Sequence, residues 1–157
     1  MIVVGLTGGI GSGKTTVAKM FEDLNIPVYN SDQEAKLLMV NSKQLKVKIK
    51  ELLGKNAYDK KVLNRKYIAD KVFTNPELLA ELNAIVHPAV RKHFIDWVVK
   101  QDSAYVIQET AIIFENSSQS KYDKIILVTA PEEVRIQRVM DRDKISIENI
   151  QILLLKI

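Results

Sequence analysis

The chain has 157 residues, of which 46% are hydrophobic and 27% charged. These values admit one globular domain and exclude a disordered, collagen-like or low-complexity protein. There is no cysteine, and His87 and His93 are the only histidines, which removes disulfide frameworks, thiolate metal sites, cysteine nucleophiles and a histidine-rich metal cage. The formal net charge is +4, and residues 36–71 hold eleven Lys or Arg against Glu51, Asp59 and Asp70. Such a stretch is either a solvated helical face or a surface for something anionic, a nucleic acid or a phosphorylated metabolite.

In chain order, Ile2 to Thr7 reads as a short buried strand. It lacks the basic leading region of a signal peptide, and no apolar run approaches the ~18 residues of a spanning helix. A soluble, cytoplasmic protein is expected. A helical pattern follows over 13–24, with Val17, Met20, Phe21 and Leu24 on one face. Residues 26–29 form a second strand, and 32–54 a Lys-rich helical stretch stopped by Gly54. Another helix fits 64–73. Asn75, Pro76 and Glu77 then open a helix as cap, first-turn proline and first-turn acid, and Leu78, Leu82, Ile85 and Val86 form its stripe. Pro88 is expected to kink or break it, with the pattern resuming over 90–99. Residues 105–107 form a third strand ending at Gln108-Glu109, and 124–129 a fourth. Pro131 opens a helix over 132–143, and Ser146 caps a last one, with Glu148 near its start.

Alternation of strands and helices predicts an α/β fold with a parallel sheet covered by helices on both faces. Residues 36–101 show no strand signal and read as a helical insertion between the second and third strands. The expected strand order is second, third, first, fourth.

The most specific signal is Gly8-Gly9-Ile10-Gly11-Ser12-Gly13-Lys14-Thr15, which matches G-x-x-x-x-G-K-[ST] between a strand and a helix. Small residues let backbone N–H groups converge on phosphate oxygens, and the helix N-terminus adds its positive dipole end. Lys14 would lie along the β- and γ-phosphates of a nucleoside triphosphate, and the Thr15 hydroxyl would coordinate Mg²⁺. Gly9, Gly11, Ser12, Gly13, Lys14, Thr15 and Thr16 are the expected ATP-binding residues. The chain has no Asn-Lys-x-Asp guanine motif, and its first arginine is Arg65, far from the second strand. Both absences favour a small-molecule kinase over a GTPase or a nucleoside monophosphate kinase.

Asp32 follows the second strand, where the carboxyl ends of parallel strands border a ligand crevice. It is a candidate base for an acceptor hydroxyl, and equally a helix-capping residue. Glu109 ends the third strand and is a candidate for the Mg²⁺ hydration shell. Arg135, Arg138 and Arg142 share one helical face, where they would wrap the triphosphate or else pair with Glu132, Glu133 or Asp141.

These residues resemble the dephospho-CoA kinase family over nearly the whole chain. The resemblance rests on LTGGIGSGKTTVA, on Asp32 followed by Ala35-Lys36, on VFTNPELLAELNAIVHP, on Ile112 to Glu115 and on VTAPEEVRIQRVMDRD. The Leu-Asn…His87-Pro88 element and the Gln137-Arg138…Arg142-Asp143 spacing are its more specific parts. It implies a P-loop kinase that transfers the γ-phosphoryl of ATP to the ribose 3′-hydroxyl of dephospho-CoA, with Asp32 facing that hydroxyl. It also implies catalytic roles for Lys14, Arg138 and Arg142, and acceptor-side roles for His87, Lys36 and Glu109. The domain would comprise a core of 1–35 and 102–157, an acceptor-side insertion of 36–101 and a lid at about 135–149. ATP, Mg²⁺ and dephospho-CoA are the expected ligands, with neither nucleic acid nor membrane as partner and the oligomeric state open. Two rivals remain on the residues alone: a kinase for another hydroxyl acceptor, and a nucleotide-dependent nucleic-acid-binding protein using the basic insertion.

The chain departs from the family in carrying Ala111 where a proline is usual. Family members also continue into a further helix, a fifth strand and an adenine-side loop. The apolar residues 153–157 therefore read as a cut end, and weak ATP binding is expected of the chain as given.

Overall fold

The computed structural model describes residues 1–144. The expectations for residues 145–157, including the Ser146 cap and the rest of the lid segment, lie outside the described residues. The chain divides into two compact units: Met1–Asn30 together with the residues from Gln101 onward, and Ser31–Lys100.

The first unit holds β1 (Ile2–Thr7), α1 (Lys14–Asp23) and β2 (Val28–Asn30). After the inserted unit, the chain returns to it and forms two more strands and a helix. All four strands are parallel, and they lie in the expected order, the Tyr105–Glu109 strand between β2 and β1 and the Lys124–Leu127 strand at the other edge. Val4, Leu6, Ala18 and Ile107 are buried together, with Val17, Phe21, Ile26, Val28 and Ile126 packed against them. The sheet therefore meets α1 through Val17, Ala18 and Phe21. Met20 and Leu24, expected on that face, are exposed. The stripe centres on Ala18, whose small side chain lets helix and sheet approach closely, and this rotates Met20 and Leu24 away. On the opposite face Gly5 makes room for neighbours: a Cβ there would lie 2.6 Å from the Ile113 side chain and 3.0 Å from Tyr122.

The inserted unit contains α2 (Ser31–Asn41), α3 (Lys43–Leu53), the short strands β3 (Tyr58–Asp59) and β4 (Val62–Leu63), α4 (Arg65–Phe73) and α5 (Pro76–Val98). Its core gathers Leu45, Ile49, Leu53, Tyr58, Leu63, Ile68, Leu82, Val86, Val90 and Phe94. The last four repeat every four residues and give α5 a continuous apolar stripe against α2, α3 and α4.

Three expectations fail in this unit. The single helical stretch over 32–54 is two helices, because the Ser42 hydroxyl accepts the Leu45 N–H at 3.3 Å and caps a new start. The strand-free insertion contains an antiparallel hairpin, Tyr58 opposite Leu63 and Asp59 opposite Val62, turned by Lys60 at φ 54°. Burial of Tyr58 and Leu63 side by side stabilises a turn that no glycine announces. Pro88 does not end a helix, since α5 runs through it. The loss of one N–H costs roughly 3 kcal/mol in a helix interior. Here Leu82 and Val86 before the proline and Val90 and Phe94 after it bury against the same core and keep the helix continuous.

The strands that complete the sheet are β5 (Tyr105–Glu109) and β6 (Lys124–Leu127). They are followed by α6 (Glu132–Asp143), with Glu132 and Glu133 in its first turn and Arg142 in its last, charges that complement the helix dipole.

Candidate active site

β1 delivers the chain into the loop 8–15 with little freedom. A Cβ on Gly8 would lie 2.4 Å from the Val128 carbonyl oxygen, so only glycine fits beside the end of β6. Gly11 and Gly13 take φ of 75° and 96°, left-handed values that side chains disfavour. Ser12 N–H donates to the Gly9 carbonyl at 3.1 Å and closes the turn. α1 then begins with no side-chain cap and no acid in its first turn. Its first N–H groups are thus left for a ligand, and the dipole favours an anion. The buried Ser12 hydroxyl has no hydrogen-bond partner among the described residues. An orphaned donor in a glycine-rich loop, ahead of an uncapped helix with Lys14 as first residue, suits a phosphate group.

Beside the loop, Glu109 is 4% exposed at the carboxyl end of β5. One carboxylate oxygen accepts from the Thr15 hydroxyl at 3.0 Å and the other from the Asn30 side-chain amide at 2.7 Å. A buried carboxylate is costly unless both oxygens are satisfied, and here they are. Asn30 stands directly opposite Glu109 in the β2–β5 register, so the pairing follows from the parallel alignment. Asn30 is the functional-site residue that no sequence motif marks. The expected strand order, which makes the two strand ends neighbours, is the signal that could have found it.

The hard oxygen donors of Thr15 and Glu109 fit Mg²⁺, which takes one or two protein oxygens and completes its shell with substrate phosphates and water. Among the described residues no three His, Cys, Asp or Glu side chains cluster as a metal cage.

The α6 arginines reach the loop in different ways. Arg135 Nε donates to the Ile10 carbonyl at 2.9 Å. Arg138 Nη1 donates to the Gly11 and Ser12 carbonyls, each at 3.2 Å. Arg142 makes two hydrogen bonds to Asp143, both 2.7 Å, which hold the Asp143 carboxyl below its ordinary value and raise the Arg142 guanidinium. None of the three pairs with Glu132, Glu133 or Asp141 in these bonds; Asp141 instead accepts from Gln137 at 2.9 Å.

The remaining sequence-predicted residues belong to the inserted unit. Asp32 lies in the first turn of α2, two positions beyond the end of β2, inside the helix rather than ahead of it. Lys36 is one turn further on the same helix, and both are exposed. His87 is exposed on α5, before Pro88. α2 and α5 pack together, and Glu34 and His93 approach to 3.6 Å between them. Part of the basic stretch has partners at home: Lys46 and Lys50 sit 5.9 and 5.5 Å from the Tyr58 ring centre, and Lys71 5.7 Å from that of Tyr67.

The family model for dephospho-CoA kinase matches residues 2–155. The chain belongs to the dephospho-CoA kinase family. It is 39% identical to the dephospho-CoA kinase of Porphyromonas gingivalis over 96% of this chain and 75% of the relative. Identity to that of Bacteroides fragilis is 35% over 95% of this chain and 73% of the relative. A solved Thermus thermophilus structure superposes with a TM-score of 0.88 at 32% identity, covering 99% of this chain and 79% of the other. The dephospho-CoA kinase from Campylobacter jejuni gives 0.64 at 27%, covering 94% and 75%. The parallel sheet and its glycine-rich loop are accordingly those of a P-loop transferase, and the activity of the family is the ATP-dependent phosphorylation of dephospho-CoA to coenzyme A.

Proposed function

We propose that loop 8–15 holds Mg·ATP and that the 3′-hydroxyl of dephospho-CoA attacks its γ-phosphorus. The observation that carries this reading is the buried Glu109 carboxylate, bonded to Thr15 and Asn30, beside an uncapped helix N-terminus. Backbone N–H groups of the loop, with Gly9, Gly11, Ser12, Gly13 and Thr16 lining it, bind the phosphates. Lys14 lies along the β- and γ-phosphates and balances charge as it moves toward the leaving group. The Thr15 hydroxyl is a ligand of Mg²⁺, which when bound neutralises charge on the phosphate oxygens. The Thr15–Glu109 hydrogen bond supports a place for Glu109 in the hydration shell of that ion.

Asp32 accepts the proton of the attacking hydroxyl. The new bond forms between the 3′-oxygen and the γ-phosphorus, the bond from that phosphorus to the bridging oxygen breaks, and ADP leaves with the electron pair. Such transfer needs little covalent help from the protein, so alignment and charge compensation supply most of the rate. Arg138 and Arg142 stabilise charge on the moving group, within a lid that begins near residue 135. Lys36, His87 and the basic insertion 36–101 serve the anionic acceptor, which carries a pyrophosphate. Among the described residues no helix is long and apolar enough to cross a membrane. The enzyme works in the cytoplasm on two small-molecule substrates.

A coupled ADP-release assay over a panel of hydroxyl acceptors tests this reading. Turnover with dephospho-CoA, absent without Mg²⁺ and absent when the acceptor already bears a 3′-phosphate, is the expected result. Equal turnover with acceptors lacking the adenosine 3′-hydroxyl would overturn it.

A further inference from the structure

Three successive carbonyl groups of the phosphate loop are held from one helix. Arg135 takes that of Ile10, and Arg138 takes those of Gly11 and Ser12. A trans peptide is planar, so its C=O and N–H point in opposite directions. No described peptide bond is cis. Holding the Ile10 carbonyl toward α6 therefore turns the Gly11 N–H away from α6. Holding the Ser12 carbonyl does the same for Gly13. The intervening Ser12 N–H is engaged by Gly9.

Arg135 also packs against two glycines of the loop. A Cβ on Gly9 would meet its Nη2 at 2.6 Å, and a Cβ on Gly11 would meet its backbone oxygen at 2.5 Å. The first contact is with the tip of a flexible side chain and the second with helix backbone. The loop and α6 are thus fitted to each other through this residue. Arg135 belongs to the same helical face as Arg138 and Arg142, and its Nε, like the Arg138 Nη1, is bonded to loop backbone.

We propose that Arg135 is a positioning residue for ATP. It fixes the Ile10–Gly11 peptide so that the Gly11 N–H is presented to the triphosphate, and it acts through the loop without touching the phosphates. The proposal rests on the reading of loop 8–15 as the ATP site.

The test uses the full chain with Arg135→Ala, Arg135→Lys, Gly9→Ala and the double variant Gly9→Ala/Arg135→Ala. Arg135→Ala should raise the ATP KM about tenfold, what one charge-assisted hydrogen bond is worth. Its kcat should stay within about threefold, and the dephospho-CoA KM should not move. Arg135→Lys should recover part of the loss, since an ammonium can donate to Ile10 but lacks the rigid fork. Gly9→Ala should weaken ATP binding by displacing the guanidinium, and should add little in the Arg135→Ala background. Three results would overturn the proposal: an unchanged ATP KM, a fall in kcat alone, or equal losses for both substrates with a lowered Tm. Full additivity of the two substitutions would overturn it as well. Lys14→Ala separates this from the reading beneath it. If Lys14→Ala abolishes ATP binding while Arg135→Ala does not weaken it, positioning alone fails. If neither weakens it, the loop is not the ATP site.

Discussion

In the unit that carries the phosphate loop, side-chain hydrogen bonds join residues 79 to 127 positions apart: Asn30 to Glu109, Thr15 to Glu109, Arg135 to Ile10, Arg138 to Gly11. In the inserted unit, the capping bonds Ser42–Leu45, Asn64–Tyr67 and Asn75–Leu78 each span three residues. The first unit buries its candidate carboxylate, Glu109, under two hydrogen bonds, whereas the second leaves the candidate Asp32 exposed in a first helical turn. A site tied together across the sequence is preorganised but vulnerable, because each functional group also holds structure. A site resting on local caps and an apolar stripe keeps chemistry and stability apart. Substitutions in the two units should therefore fail in different ways.

The largest expected effect lies in the inserted unit and should leave the fold alone. Asp32→Asn removes the proposed base and should lower kcat by roughly 10²–10⁴. An acid in the first turn is worth at most about 1 kcal/mol, so the thermal midpoint should barely move. Kinetics and calorimetry on one sample check both halves, and near-normal kcat would reduce Asp32 to a first-turn acid. Lys14→Ala comes next. Loss of one preorganised cation should cost roughly 10²–10³ in kcat/KM for ATP. No described hydrogen bond or ion pair depends on the Lys14 side chain, so circular dichroism should show an intact fold. A folded variant of full activity would remove Lys14 from the mechanism.

The two units also differ in how far the sequence revealed them. The sheet order and the loop were legible because apolar runs, glycines and the Lys-Thr pair are punctuation that short-range physics reads directly. The dependence of the hairpin on Tyr58 packing beside Leu63 was not, since the Lys60-Lys61 turn between the paired Asp59 and Val62 carries no glycine, asparagine or proline. The passage of α5 through Pro88 was hidden for the same reason: a core made by α2, α3 and α4 overrides a local breaker. Ser42 gives no break signal because it sits inside a run of helix-compatible lysines and leucines. At the site, residue types were readable and their partners were not. Arg135 looked like a phosphate ligand until its Nε was seen on Ile10. Asn30 is picked out only by the register that sets it against Glu109.

A third prediction breaks the long-range knot directly. Asn30→Ala removes the donor to one oxygen of a buried carboxylate, and leaving such a group unpaired costs about 1–3 kcal/mol. The thermal midpoint should fall, and Mg·ATP affinity should fall with it, because Glu109 also holds Thr15. Thermal unfolding with and without Mg·ATP measures both. Loss of stability with unchanged Mg²⁺ dependence would show that the Glu109 cluster is structural only.

The smallest expected effect is at Arg142, where the nucleotide-side unit behaves like the inserted one. Its two hydrogen bonds go to the adjacent Asp143, and 62% of the Arg142 side chain is exposed. An exposed pair of this kind is screened and contributes little to stability. The Arg142 hydrogen bond depresses the Asp143 carboxyl, so the contribution of the pair is fully present above the ordinary carboxylate range and is lost as pH falls through the depressed value. An NMR titration should show the Asp143 carboxyl returning to its ordinary range in Arg142→Ala. To reach the phosphates, Arg142 has to exchange Asp143 for ATP. Asp143→Asn weakens the competitor, so the ATP KM should drop by about twofold at neutral pH with the thermal midpoint unchanged. If neither the ATP KM nor kcat moves, Arg142 does not exchange Asp143 for the phosphates, and charge compensation on the moving phosphoryl group then falls to Lys14 and Arg138.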